Sequence, residues 1–180
     1  MIIKNTTETY SSVPKFFHWT IGLMIIIMLI VGFIMGDITD LTQRGQVYAL
    51  HKATGTVLLV FIVLRLLVRL FNVNVLLPSE MPVWQKYAAH TNIYMLYLLM
   101  FVMPISGFLM TVLAGRNINI YGIFTISSFM QDKPLAKIFN YIHHYTAFAL
   151  ISCIILHILA ALYHHFIRKD KILKRMLFGK

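Results

Sequence analysis

Four long apolar runs, separated by short polar stretches, dominate the pattern of the chain. They cover residues 16–35, 51–71, 87–112 and 137–167, within a few positions. A helix rises about 1.5 Å per residue, so about 20 residues cross the roughly 30 Å of hydrocarbon in a bilayer. The pattern predicts four transmembrane helices. We therefore expect an all-α integral membrane four-helix bundle, formed as a single domain of residues 1–180.

Polar connections are predicted at 36–46, 72–82 and 114–134, where turn-forming residues cluster. The third is the longest and contains apolar residues, so it is expected at the mouth of the bundle or at the level of the lipid headgroups. The first apolar run follows a polar lead of fifteen residues and shows no small-x-small cleavage pattern. We expect it to be retained as a span and not removed as a signal peptide.

Composition and charge place the chain in a membrane with a defined orientation. Of its 180 residues, 59% are hydrophobic and 12% are charged, which is too apolar for a water-soluble domain of this size. If both termini lie on one side, eleven lysines and arginines, Lys180 included, lie there against five opposite. This asymmetry predicts cytoplasmic termini in a bacterial inner membrane. An anionic leaflet then explains the net charge of +10 without any nucleic acid.

The fourth run holds five of the eight histidines. Ionisable groups inside a span usually face the bundle interior, paired or bound to something. His143 and His157 are fourteen residues apart, which places them within about 40° of one helix face and about 21 Å apart along the axis. His144 lies about 140° from His157. His143 therefore shares the face of His157, and His144 has no assigned role.

Two further histidines match these two in depth. His18 begins the first run on the side of the termini, level with His157, and His51 begins the second run on the opposite side, level with His143. The pattern predicts two bis-imidazole sites: the first pair, His18 and His157, and the second pair, His51 and His143. A lone membrane histidine is more often a satisfied polar group, but four matched in depth favour ligation.

A planar macrocycle such as haem suits these sites. Gly22 and Gly55 each follow a paired histidine by four residues, on the same helix face, and leave room for a flat ring. Glycine also serves close helix packing in membranes, which is the alternative reading. Cys153 is the only cysteine, so covalent attachment through C-x-x-C-H is excluded and any haem is of the b type.

Other polar residues lie at the terminal side of the spans. His164 falls about 20° from His157 and about 10 Å further along, where it could exchange protons with a quinone. His90, at the same end of the third run, is its candidate companion. Arg65 and Arg69 either reach lipid phosphates or pair with haem propionates.

Two features carry no predicted chemistry. His165 is expected to meet only water and phosphate at the headgroup level, and no role is assigned to it. Pro104 and Gly107 are expected to bend the third helix, as a packing feature.

The motifs "FFHW", "HKATG" followed by "RLLVRL", "MPISGFLM" and "HHYTAFALISCIILHILAALYHHF" occur in this order between Lys15 and Phe178. In this respect the chain resembles the bacterial cytochrome b561 family, and within it the short four-helix type described as superoxide oxidase. The resemblance implies two b haems, held by the first and second histidine pairs. It also implies superoxide as electron donor at the outer face and ubiquinone as acceptor near the inner haem.

The charges on the outer side agree with an anionic donor. Four cations there outnumber the nearby acids and would attract superoxide: Lys52, Arg116, Lys133 and Lys137, against Asp37, Asp40 and Asp132. The alternatives are a quinol-oxidising cytochrome b that serves another redox protein, a histidine-lined metal or haem carrier, and an assembly anchor without a redox role. Relatives of the first alternative usually resemble longer chains with additional spans.

Overall fold

The computed structural model describes residues 4–177, so Phe178 and Lys180 lie outside the described residues. Five α-helices are present in this part of the chain: α1 (Ser12–Ile34), α2 (Leu41–Leu70), α3 (Val83–Leu113), α4 (Lys133–Tyr163) and α5 (Ile172–Leu177). A π-helical turn, His164–Arg168, continues α4. The first four helices are each long and apolar enough to cross a membrane. The predicted all-α membrane four-helix bundle is confirmed.

Helix α2 begins ten residues earlier than the apolar run suggested, so the predicted connection at 36–46 was wrong in its second half. Asp40 caps the helix, because its Oδ1 accepts the backbone N–H of Gln43 at 2.7 Å. A capped helix can continue through polar residues, whereas hydropathy marks only the apolar stretch. His51 consequently lies about three turns inside α2 and not at its start.

The described chain divides into two compact units, and each contains segments of all four long helices. One unit gathers residues 4–20, 63–99 and 149–177, and it contains the first histidine pair. The other gathers Ile21–Ile62 and Met100–Phe148, and it contains the second pair. Each predicted pair therefore lies within one unit.

The long connection after α3 forms a β-hairpin. Strands β1 (Ile118–Ile120) and β2 (Phe124–Ile126) are antiparallel, and the turn between them has positive φ at Tyr121 and Gly122. The hairpin was not predicted because strands of three residues carry almost no periodic signal. Ile118 and Ile120 are buried with apolar residues of α2, α3 and α4, so the hairpin packs on this unit's core.

The outward surfaces of the long helices are apolar. Leu23 and Ile30 on α1, and Leu156 and Leu159 on α4, each expose more than half of their surface. Large aliphatic side chains can remain exposed where lipid replaces water as the solvent. Polar side chains are therefore exceptions to the apolar character of these helices.

Candidate haem-binding sites

The first pair joins helices α1 and α4. The ring centroids of His18 and His157 lie 6.1 Å apart, with an interplanar angle of 55°. Arg65 of α2 donates from Nη2 to Nδ1 of His18 at 3.2 Å. A guanidinium has no acceptor, so Nδ1 of His18 must accept in this arrangement.

The second pair joins helices α2 and α4. The ring centroids of His51 and His143 lie 6.4 Å apart, with an interplanar angle of 84°. Nδ1 of His143 lies 2.9 Å from the carbonyl oxygen of Met103, to which it donates. The neutral ring then keeps the lone pair on Nε2 free for a metal. Nδ1 of His51 is buried and lacks a hydrogen-bond partner among the described residues.

Both spacings fit one metal ion held between two imidazoles. With each nitrogen about 2 Å from the ion and about 1.2 Å from its ring centre, the centroids of two opposed rings lie about 6.4 Å apart. A direct N–H···N hydrogen bond of about 3 Å would bring them to about 5.4 Å. The observed centroid distances of 6.1 and 6.4 Å leave room for the first arrangement. No cluster of three or more metal-ligating side chains occurs in residues 4–177, so an ion at either pair would need its other ligands from a group such as haem.

Two glycines from neighbouring helices lie against the second pair. A Cβ built on Gly32 of α1 would lie 3.4 Å from Cε1 of His51, and one on Gly107 of α3 would lie 2.9 Å from Cε1 of His143. Sequence reasoning treated Gly107 as part of a helix bend and did not consider Gly32. Spacing along one helix cannot reveal a glycine that meets a histidine of another helix.

The two glycines that the sequence did single out lie in different surroundings. A Cβ on Gly22 would meet no atom within 4 Å, whereas one on Gly55 would lie 3.5 Å from Cε of Met28. There is open space beside Gly22, as a flat ring would need. Gly55 faces a flexible side chain.

An arginine and tyrosine cluster adjoins the first pair. The guanidinium carbons of Arg65 and Arg69 lie 5.8 and 5.1 Å from the ring centroid of Tyr97, within range of cation–π attraction. Nε of Arg65 is buried without a hydrogen-bond partner among the described residues. Burial raises the pKa of nearby Tyr10, and the charges of Arg69 and Arg65 offset part of that rise. The unpaired Nε–H of Arg65 could bind an anion such as a propionate.

His164 is buried and paired with an acid. Its Nδ1 lies 2.5 Å from Oδ2 of Asp170, and the backbone N–H of Asp170 donates to the carbonyl of His164 at 3.1 Å. The π-helical turn and the positive φ of Lys169, 56°, bring these residues together. Sequence reasoning expected His164 on the face of His157 and missed Asp170, because a regular helix would not fold the chain back here.

The other three histidines have different surroundings. His90 is exposed, and its Nδ1 donates to the carbonyl of Lys86 in its own helix at 2.7 Å. His144 is exposed and packs edge-on against the Phe148 ring. Nδ1 of His165 is buried without a hydrogen-bond partner among the described residues.

Cations surround the end of the unit that contains the second pair. Lys52, next to His51, approaches the carbonyl of Asn117 at 3.5 Å. Arg116 and Lys137 line a cavity of about 230 Å³ together with Met110, Thr111, Ala114, Ala136 and Asn140. Lys133 is exposed at the start of α4. Three of the four predicted cations therefore border the hairpin or this cavity, and the lining of the cavity contains no carboxylate.

A membrane four-helix bundle with histidine pairs between neighbouring helices is typical of membrane-bound b-type cytochromes. Residues 9–179 match the model of the family described as prokaryotic cytochrome b561. The chain belongs to this family, whose members are membrane electron-transfer cytochromes that bind haem b.

Curated relatives match over nearly the whole chain. Cytochrome b561 homolog 2 of Escherichia coli K12 is 32% identical, over 98% of this chain and 95% of its own length. The probable superoxide oxidase CybB of Yersinia pestis is 27% identical, over 94% and 96% respectively. Cytochrome b561 homolog 1 of Escherichia coli K12 is 28% identical, over 93% and 96%. Multi-pass insertion in a bacterial inner membrane fits both the family and the four apolar helices.

Proposed function

We propose that the protein is a di-haem superoxide:ubiquinone oxidoreductase with both termini in the cytoplasm. The observation that carries the proposal is the two imidazole pairs, each at a ring spacing that would accommodate one iron ion. The 27% identity to a probable superoxide oxidase supports the choice of donor. The excess of basic residues on the side of the termini supports the orientation.

Four histidines would serve as axial ligands, His18 and His157 for one haem and His51 and His143 for the other. Haem bound at each pair would supply a one-electron carrier whose potential depends on ligation, burial and hydrogen bonds. His143 already holds its hydrogen on Nδ1, as a ligand that binds through Nε2 requires. His18 instead accepts from Arg65. Ligation through Nε2 would place a hydrogen on Nδ1, so Arg65 would have to turn to another acceptor, for which a propionate is suited.

The outer end of the protein would attract superoxide. Arg116 and Lys137 line one cavity, and Asn140, in the same lining, is one helical turn before His143. Lys52 is adjacent to His51 in sequence and lies close enough to Arg116 for their charges to repel. Positive charges concentrated near a small site raise the rate at which an anion reaches it. These residues would therefore guide superoxide toward the second pair.

The inner end would bind ubiquinone near His164. Asp170 engages Nδ1 of His164, which leaves Nε2 as the nitrogen that could meet a quinone oxygen. An acid that orients one nitrogen of an imidazole while the other transfers a proton is a recurrent catalytic arrangement. In one cycle, two superoxide anions would each lose one electron and leave as dioxygen. One ubiquinone would take up both electrons and two cytoplasmic protons and leave as ubiquinol.

Spectroscopy and rapid mixing test this proposal. A reduced-minus-oxidised spectrum should show b-type bands, with two haems per chain. His157→Ala and His143→Ala should each lose one haem, and the control His144→Ala should keep both. Fewer than two haems in the wild-type protein would contradict the di-haem assignment.

The donor is tested separately by stopped-flow mixing of the oxidised protein with superoxide. Reduction should be much faster than that of an unrelated bis-histidine cytochrome. If the two rates are equal while ubiquinol reduces the protein rapidly, the quinol-oxidising alternative is correct instead.

A further inference from the structure

A short stretch of α3, Met103–Gly107, contacts His143 although α3 supplies no paired histidine. The carbonyl oxygen of Met103 lies 2.9 Å from Nδ1 of His143 and also accepts the hydroxyl of Ser106 at 2.9 Å. Oγ of Ser106 in turn lies 3.2 Å from Nδ1 of His143. Three polar atoms thus form a closed triangle, and the Ser106 side chain is only 2% exposed.

The triangle determines which nitrogen of His143 carries the hydrogen. A carbonyl oxygen can only accept, so Nδ1 must donate to it. The Ser106 hydroxyl gives its own hydrogen to the same carbonyl, and its lone pairs are then directed at the Nδ1 hydrogen. Both oxygens therefore stabilise the tautomer in which Nε2 has a free lone pair. A partner of this kind commonly sets the orientation and basicity of a metal-bound histidine.

Gly107 limits the position of the same ring from one side. A Cβ at this position would lie 2.9 Å from Cε1, 3.1 Å from Nδ1 and 3.7 Å from Nε2 of His143. A carbon 2.9 Å from another carbon is well inside van der Waals contact, so the ring would have to move. Movement would stretch the bond to Met103 and change the 84° angle to the His51 ring.

We propose that Ser106 and Gly107 are positioning residues for the His143 ligand. Gly107 admits the ring to its place, and Ser106 together with the Met103 carbonyl holds its tautomer and rotation. The inference rests on the proposed haem ligation by His143. It assigns a role to the "MPISG" segment that goes beyond bending the helix.

Alanine variants of the two residues test the inference, with Gly45→Ala in α2 as the matched control. Gly107→Ala should lose the haem of the second pair and keep that of the first, which lowers the content from two haems per chain to one. Gly45→Ala should keep both, because an added Cβ meets no atom within 4 Å and Gly45 belongs to neither histidine pair's surroundings. The haem that remains in Gly107→Ala also reports that the variant is folded.

Ser106→Ala tests the positioning role through the midpoint potential and the spectrum of a haem, which a purely structural role of Ser106 would not change. The substitution leaves the bond from His143 to Met103 available, so both haems should remain and the melting temperature should change little. In a redox titration the midpoint potential of the haem at the second pair should shift, and the low-spin electron paramagnetic resonance signal of that haem should change. The potential and the signal of the haem at the first pair should stay constant.

Each outcome separates this inference from the proposed function. Two haems with unaltered midpoints and spectra in both variants would overturn the positioning role and leave the superoxide reaction standing. If Gly107→Ala loses both haems, Ser106→Ala decides: a shift of one midpoint supports the role and no shift refutes it. If the His143→Ala variant keeps as many haems as the wild-type protein, the assignment of His143 as a ligand is itself refuted.

Discussion

Removal of Asp170 should release the C-terminal segment and slow quinone reduction. Oδ2 of Asp170 binds Nδ1 of His164, and Oδ1 accepts the backbone N–H of Ile172 at 3.0 Å. The two side chains are only 11% and 20% exposed, so water competes little for their hydrogen bond. Leaving a buried donor unpaired costs about 1–3 kcal/mol, and losing the hydrogen bond from the N–H of Ile172 costs about 1 kcal/mol. Asp170→Ala should therefore destabilise this segment by about 2–4 kcal/mol.

Hydrogen exchange measures the effect directly. At about 1.4 kcal/mol per factor of ten, the amides of residues 172–177 should exchange roughly thirtyfold to several hundredfold faster in Asp170→Ala. Asp170→Asn keeps an oxygen that can accept from Ile172 and loses mainly the charge, so its acceleration should be smaller. Exchange within twofold of the wild-type rate in Asp170→Ala would refute the structural reasoning.

Fluorescence offers a second measurement of the same change. The indole N–H of Trp19 donates to the carbonyl of Met176 at 3.2 Å, so detachment of α5 exposes this indole to a new environment. In a Trp84→Phe background Trp19 is the only tryptophan. Its emission should shift in Asp170→Ala, and the rate of ubiquinone reduction should fall in parallel because His164 loses its orientation.

Three further predictions concern the candidate sites. Changing Arg116 and Lys137 together to Gln should slow reduction by superoxide about fourfold at low salt, since each cation about 10 Å from the anion contributes about 0.4 kcal/mol in water. Lys174→Gln, in the unit that contains the first pair, should leave the rate unchanged, and equal slowing by both variants would contradict the steering role. His164→Ala should keep both haems and slow ubiquinone reduction by about 100-fold, the lower range for loss of a general acid, whereas His165→Ala should not. Arg65→Met should speed the transfer of the haem of the first pair to an excess of a haem-scavenging apoprotein by about tenfold or more, because a charge-assisted hydrogen bond contributes about 1.5–3 kcal/mol. The haem of the second pair is the internal control.

The spacing of the histidines along the chain was sufficient to predict which of them face each other. Helix periodicity placed His143 and His157 on one face, and depth matched them to His51 and His18, whose rings lie 6.4 and 6.1 Å from theirs in the folded protein. The same arithmetic could not predict the contact of Asp170 with His164, because the π-helical turn and the left-handed Lys169 depart from a regular helix. The function of the four histidines as iron ligands stays a prediction that the proposed variants test.

The sequence by itself determined the number of spans and the all-α class. Bilayer thickness and the helical repeat are fixed lengths, so counting residues is sufficient for these features. The tertiary structure alone decided what touches each imidazole: Gly32 at His51, Ser106 and Gly107 at His143, and Arg65 at His18. These contacts join residues far apart in the chain, and they depend on how closely and at what rotation the helices pack, which no single helix encodes.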